Sequence, residues 1–204
     1  MDGRRGLRMV SYPSWLDRRT IILGSNSPRR RELLQGLDIP FTVKIINGID
    51  ESFPASMLVD RIPLYVARQK AAAYLPSLID SDILITADTI VEIDGSILGK
   101  PSDRADAIRM LTLLAGRRHR VVTGVCLTST DKSVEFSDVS SVQFASLGFS
   151  EIEYYVDHYE PYDKAGGYGI QEWIGYVGVE SIEGSFYNVM GLPVQRVYRE
   201  LLKF

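Results

Sequence analysis

Residues 22–34 read ILGSNSPRRRELL, an apolar run that gives way to small hydroxyl and amide residues, a proline and three arginines. Ser27 suits a helix N-cap and Pro28 the first helical position. The stretch therefore reads as strand, tight loop and helix, the opening unit of an α/β fold. Arg29, Arg30 and Arg31 stand where the helix dipole disfavours positive charge. Two readings follow: a solvated basic helix end, or a site whose occupant is negative. Backbone N–H groups at a helix start bind anions. Ser25 and Ser27 add hydroxyls, and Arg29 and Arg30 add forked donors matched to phosphate. Arg31 is assigned to solvent.

Outward from this stretch, Thr20–Gly24 is a buried strand and the helix runs from Pro28 through Leu37. Asp38-Ile39-Pro40 ends it, and Phe41–Ile46 (FTVKII) is a second strand. Pro63–Leu75 is a helix with Leu64, Ala67, Ala71 and Tyr74 on one stripe. Asp82–Glu92 is a strand turned by Asp94-Gly95 into Ser96–Leu98. Asp103–Leu114 is an amphipathic helix stopped by Gly116. Arg120–Thr128 and Ser137–Phe144 form a hairpin around Thr130–Lys132. Ser150 caps a helix to His158, a glycine-rich loop spans Lys164–Gly169, and Pro193–Leu202 is the last helix. Early βα alternation followed by a β-rich section predicts an α/β protein with a mixed sheet flanked by helices.

The chain has 204 residues, 45% hydrophobic and 24% charged, enough for a sizeable core. The reading is an N-terminal extension over 1–19 and a single domain over 20–204. A net charge of −3 argues against general nucleic-acid binding but allows a local basic pocket. The single cysteine, Cys126, excludes an intrachain disulfide and reads as a small buried hydrophobe. A reducing cytoplasm is the expected setting. No apolar run reaches the roughly 20 residues that cross a bilayer, and no membrane partner is expected. The first 19 residues lack a continuous apolar stretch of the signal-peptide kind. Trp15 and Leu16 are their candidates for partial order.

Four places combine small residues with charge. Beyond the arginine stretch, Thr86-Ala87-Asp88-Thr89 puts a carboxylate in an apolar strand, which is costly unless it is paired, hydrogen-bonded or on a metal. Gly99-Lys100-Pro101 pins a lysine between two backbone punctuators; alone, a turn lysine is the commoner reading. Asp163–Gln171 (DKAGGYGIQ) has three glycines in four residues, suited to close backbone approach or to a flexible loop. Gly-Lys-Ser/Thr is absent, so this is no Walker loop. His119 and His158 lack a zinc-ligand spacing, and no Gly-x-Ser-x-Gly elbow is present. Carboxylates, lysines and arginines remain, a set suited to phosphates with a hard divalent cation.

Taken in order, SNSPRRRELL, the Asp50-Glu51 loop, ADTIV, LGKPSDRADAIRMLTLLAGRRHRVVTGV and DKAGGYGIQ resemble the Maf family of nucleoside triphosphate pyrophosphatases, from about Ile21 to the C-terminus. DKAGGYGIQ is similar to the branch acting on dTTP and UTP. The resemblance implies two lobes around a deep cleft, as in the inosine triphosphatase-like folds. It also implies hydrolysis to nucleoside monophosphate and pyrophosphate with Mg²⁺ or Mn²⁺, in a house-cleaning role, and a homodimer. Asp88 then matches the proton acceptor. Arg29, Thr89 and Gln171 match substrate-choice positions. Ser25, Ser27, Arg30, Lys70, Lys100 and Lys164 match substrate-binding positions, and Glu51 with Asp88 would hold metal. Asn26 and Ala115 depart from the family's commoner residues without touching the charged set. The alternatives are the same chemistry on 7-methyl-GTP or deaminated purines, and a regulatory binding protein of septum formation.

Overall fold

The computed structural model describes residues 18–204; the expectations placed on Trp15 and Leu16 lie outside them. Seven strands among these residues form one sheet in the order β2-β1-β3-β5-β6-β7, with β4 paired to β3. The strands are β1 (Thr20–Leu23), β2 (Phe41–Val43), β3 (Asp82–Ile93), β4 (Ser96–Leu98), β5 (Arg118–Thr128), β6 (Ser133–Phe144) and β7 (Val179–Glu183). β1 runs parallel to β2 and β3, and the remaining pairings are antiparallel. The mixed sheet flanked by helices agrees with the sequence reading. No helix among the described residues is long and apolar enough to cross a membrane.

Strand alternation divides the core between two faces. Ile21, Leu23, Ile83, Ile85 and Ala87 face one side, where they meet α1 (Pro28–Gln35), α3 (Arg104–Leu114), α4 (Phe149–Tyr159) and α7 (Val194–Leu201). Ile22, Leu84 and Cys126 face the other, under Ala67, Ala71 and Tyr74 of α2 (Ile62–Tyr74). Cys126 is buried as expected, and burial raises its thiol pKa to about 12. Each such aliphatic side chain contributes roughly 1.5–3 kcal/mol on full burial.

Local signals place several boundaries. Ser27 caps α1 by accepting the Arg30 N–H at 3.4 Å, and Asp103 caps α3 by accepting the Asp106 N–H at 2.9 Å. Asp94 and Gly95 both take positive φ (51° and 78°), the backbone a two-residue hairpin requires. β5 and β6 are longer than the hairpin predicted at 120–128 and 137–144, because their ladder extends to the turn and beyond His119.

Other boundaries move. α1 stops at Gln35, before Leu37, as the Leu37 and Asp38 N–H groups bond three residues back, to the Leu34 and Gln35 carbonyls, and no longer four. β2 ends at Val43 instead of Ile46 because β1, its neighbour, ends at Leu23. Ile45 and Ile46 enter a loop instead. Ser150 is not the cap of α4: the helix begins at Phe149, and Glu151 accepts the Gly148 N–H at 2.7 Å. Three short elements went unread: α5 (Trp173–Gly178), β7 and α6 (Phe186–Met190).

One contact sets the height of α2 above the sheet. Gly124 lies opposite Asp88 in the β3–β5 ladder. A Cβ there would stand 2.1 Å from the Leu64 N and 2.4 Å from the Pro63 carbonyl carbon. The first turn of α2 rests directly on the strand backbone. Gly124→Ala is expected to destabilise the protein by about 1–3 kcal/mol or more by overpacking. Urea unfolding measures it, and a midpoint equal to wild type would show that α2 yields at no cost.

Candidate active site

Asp88 and Thr89 are adjacent on β3 and so point to opposite faces of the sheet. Asp88 faces α2. Its Oδ1 accepts from Lys70 Nζ at 3.0 Å. Lys70 lies six residues, or roughly 9 Å, along the helix from Leu64, so the close seat at Gly124 brings its ammonium down to the carboxylate. The same ammonium is 3.1 Å from Glu51 Oε2. Glu51 rides on the loop after β2, which α2 pins at two places. Tyr74 Oη donates to the Lys44 carbonyl at 2.9 Å and accepts the Ile46 N–H at 3.0 Å; Gln69 Nε2 donates to the Ser52 carbonyl at 3.1 Å. Glu51, Lys70 and Asp88, separate in sequence, thus form one cluster.

Thr89 faces the α1 side. Its Oγ1 accepts from Arg30 Nη2 at 3.0 Å and lies 3.0 Å from Thr123 Oγ1. Arg30 also donates from Nε to the Gly191 carbonyl at 2.8 Å and from Nη1 to the Ala87 carbonyl at 2.9 Å. Burial lowers the pKa of its guanidinium, an effect the Asp88 charge opposes. All three of its nitrogens already donate to the protein, so Arg30 ties α1, β3 and the segment after α6 together. Arg30 is thus a strut in the cleft wall, and two of its five N–H groups remain for an occupant of the cavity.

Arg29 reaches across to Asp163, with Nη1 2.6 Å from Oδ2 and Nη2 3.2 Å from the carbonyl oxygen. Burial alone would raise the Asp163 carboxyl, but hydrogen bonds from Lys164 and Arg29 hold it below the usual carboxylate range. Lys164 is buried, 2.7 Å from Asp163 Oδ1 and 3.2 Å from Glu172 Oε1. Ser25 Oγ accepts the Ser27 N–H at 3.2 Å, shaping the loop before α1. Arg31 is exposed. His119 is buried against Tyr168, its Nε2 2.7 Å from the phenol oxygen, and burial lowers its pKa to about 4.

All eleven residues singled out from the sequence line one cavity of about 730 Å³. These are Ser25, Ser27, Arg29, Arg30, Glu51, Lys70, Asp88, Thr89, Lys100, Lys164 and Gln171. Five cationic side chains and three carboxylates line it, a local positive excess in a chain of net charge −3. That balance suits a polyanion. No group of three or more His, Cys, Asp or Glu is placed to hold a metal among the described residues. Glu51 and Asp88 converge on one ammonium, which places two carboxylates within reach of a common point. Mg²⁺ is commonly held in this way, by one or two carboxylates with waters and substrate phosphates.

Sequence reading missed some lining residues. Asp163 sat in the quoted DKAGG segment without a role, although its position beside Lys164 marked it as a charge partner. Val189 and Met190 come from the unread α6, and Gly191 caps its end. Ser185 at its N-cap and Gly191 at φ 114° bracket that helix and were its available signal.

The strut reading of Arg30 has a measurable consequence. Arg30→Ala leaves the Ala87 and Gly191 carbonyls without their charged donor and is expected to cost about 1.5–3 kcal/mol of stability. Urea unfolding without nucleotide measures it. An unchanged midpoint would return Arg30 to the role of a ligand donor alone.

The family match covers nearly all of the described residues. Residues 20–204 match the family described as Maf-like protein. The dTTP/UTP pyrophosphatase of Parabacteroides distasonis is 60% identical over 184 residues, covering 90% of this chain and 95% of that protein. That of Bacteroides fragilis is 56% identical over 186 residues, covering 91% and 96%. A solved HAM1 protein from Coxiella burnetii is similar at 15% identity and a TM-score of 0.47, covering 91% of this chain and all of that one. The family match and the extent of the 60% identity establish that the chain belongs to the Maf-like protein family.

Proposed function

We propose that the protein is a nucleoside triphosphate pyrophosphatase acting on dTTP and UTP, releasing the nucleoside monophosphate and pyrophosphate. The observation that carries this reading is the Glu51–Lys70–Asp88 cluster, set in a cation-rich cavity beside the N-terminus of α1. Relatives 54–60% identical are named dTTP/UTP pyrophosphatases, which supports the same substrates here.

The triphosphate lies against the start of α1, where N–H groups and the Ser25 and Ser27 hydroxyls meet its oxygens. Arg29, Arg30, Lys70, Lys100 and Lys164 offset its charge and that of the departing pyrophosphate. Phosphoryl chemistry depends mainly on such positioning and charge stabilisation. Asp88 accepts the proton of the water whose oxygen bonds to the α phosphorus as the bridge to the β phosphate breaks. Glu51 and Asp88 would hold Mg²⁺ or Mn²⁺, which when bound supplies positive charge on the phosphates and a more acidic water.

Gln171 selects the base. Its Oε1 is buried and without a partner among the described residues, and an amide offers both a donor and an acceptor. Uracil and thymine present an N3–H beside carbonyl oxygens and satisfy both. Cytosine reverses the pattern and leaves buried groups unpaired, which discriminates strongly. The proposal includes a cytoplasmic setting, drawn from the cysteine usage, and a homodimer, drawn from the family resemblance.

Asp88→Asn is expected to reduce pyrophosphate release from UTP by about 10²-fold or more with the fold retained by circular dichroism. Turnover near wild type would remove Asp88 from proton transfer. Gln171→Ala is expected to narrow the UTP-to-CTP ratio of kcat/KM, read from a nucleotide panel with pyrophosphate detection. An unchanged ratio would place base recognition elsewhere.

A further inference from the structure

The turn that carries Gln171 is held by Lys164 and by two groups that the proposed chemistry does not use, Glu172 and Tyr155. Lys164 Nζ is 3.2 Å from Glu172 Oε1, and the Tyr155 hydroxyl donates to Glu172 Oε2. That hydroxyl also accepts the Gly169 N–H at 2.9 Å, while the Glu172 N–H donates to the Gly169 carbonyl at 3.0 Å. Both ends of Gly169–Glu172 are thereby fixed to α4 and to Lys164. The packing leaves no slack: a Cβ on Gly169 would stand 2.8 Å from the Glu172 carboxyl carbon and 3.1 Å from Gln171 Nε2.

Gln171 lines the cavity and Glu172 does not. Glu172 therefore acts on its neighbour and not on the occupant. Burial, then the hydrogen bond and charge of Glu172, raise the Tyr155 pKa, so the phenol remains a donor to the carboxylate. Lys164, itself a cavity cation, lies between Asp163 and Glu172, and Asp163 pairs with Arg29. The chain of contacts joins the wall at α1 to the Gln171 turn.

We propose that Glu172 is a positioning residue for base selection: clamped by Tyr155 and Lys164, it fixes the backbone from which Gln171 presents its amide, and so sets the discrimination between uracil and cytosine. This rests on the assignment of base recognition to Gln171. A hydrogen-bonding amide discriminates only while its donor and acceptor stay in register with the base. Release of the clamp lets the turn drift and blurs that register.

The test compares kcat and KM for UTP and CTP in wild type, Gln171→Ala, Glu172→Ala, Glu172→Gln and Tyr155→Phe, with a urea midpoint for each. Glu172→Ala and Tyr155→Phe are expected to shrink the UTP-to-CTP ratio of kcat/KM by about tenfold or more, mainly through KM for UTP. Glu172→Gln keeps side-chain length and an acceptor, and is expected to restore most of the ratio. If Glu172→Ala fails to fold, Tyr155→Phe, which loses one hydroxyl, carries the test. A fall in both substrates alike, following the midpoint with the ratio intact, overturns the inference. A ratio that collapses in Gln171→Ala but holds in the clamp variants overturns the clamp alone. A ratio untouched by Gln171→Ala overturns the base assignment and the clamp together.

Discussion

The site depends on how closely α2 can approach the sheet. A helix normally packs on a sheet through its side chains, but here the α2 backbone meets the β5 backbone at Gly124. Thr86 adds a hydrogen bond from its hydroxyl to the Ala67 carbonyl at 2.8 Å. Together these set the depth and roll of α2. Less than two turns on from Leu64, Lys70 then sits over Asp88, the residue opposite Gly124. The ammonium offsets the cost of a part-buried carboxylate and draws in Glu51 from the loop. A lysine between two carboxylates keeps their negative charge together where they could share a divalent ion.

The opposite face of β3 builds the other wall by a different device. There Arg30 joins three segments through hydrogen bonds to two carbonyls and Thr89. Thr123 extends this network to the Asn188 carbonyl at 3.3 Å, and Asn188 Nδ2 donates to Val121 and Ser140. These bonds fix one arrangement of the buried segment, although Asn188 Oδ1 has no partner among the described residues. The two-residue period of the strand thus separates the carboxylate face from the Thr89 face, although Asp88 and Thr89 are neighbours in sequence.

Much of this was legible from local chemistry. Ser27-Pro28 predicted the start of α1, Asp103 that of α3, and Asp94-Gly95 the β3–β4 turn, because each signal acts within three or four residues. The α4 start was misplaced since Gly148 caps by backbone geometry with help from Glu151, whereas Ser150 offered a more familiar side chain. β2 was read too long because its end is set by the end of β1, a residue-pairing fact outside its own sequence. β7 and α6 were missed for a similar reason: β7 exists through its ladder with β6, and α6 is only five residues long.

The sequence by itself determined which residue types gather at strand and helix ends, and their order was sufficient to place the chain beside its relatives. It determined the anion-favouring helix start, the costly Asp88 and the glycine-rich turn, since each is a local departure from what a plain core or surface would carry. Only the tertiary structure decided what each charge does. Arg29, Arg30 and Arg31 are equivalent as letters, yet one pairs with Asp163, one is a half-buried strut and one is exposed. Helix rotation turns consecutive residues about 100° apart, and the partners each then meets come from segments 57 to 161 residues away. Charge is written in the chain; its partner is fixed by packing.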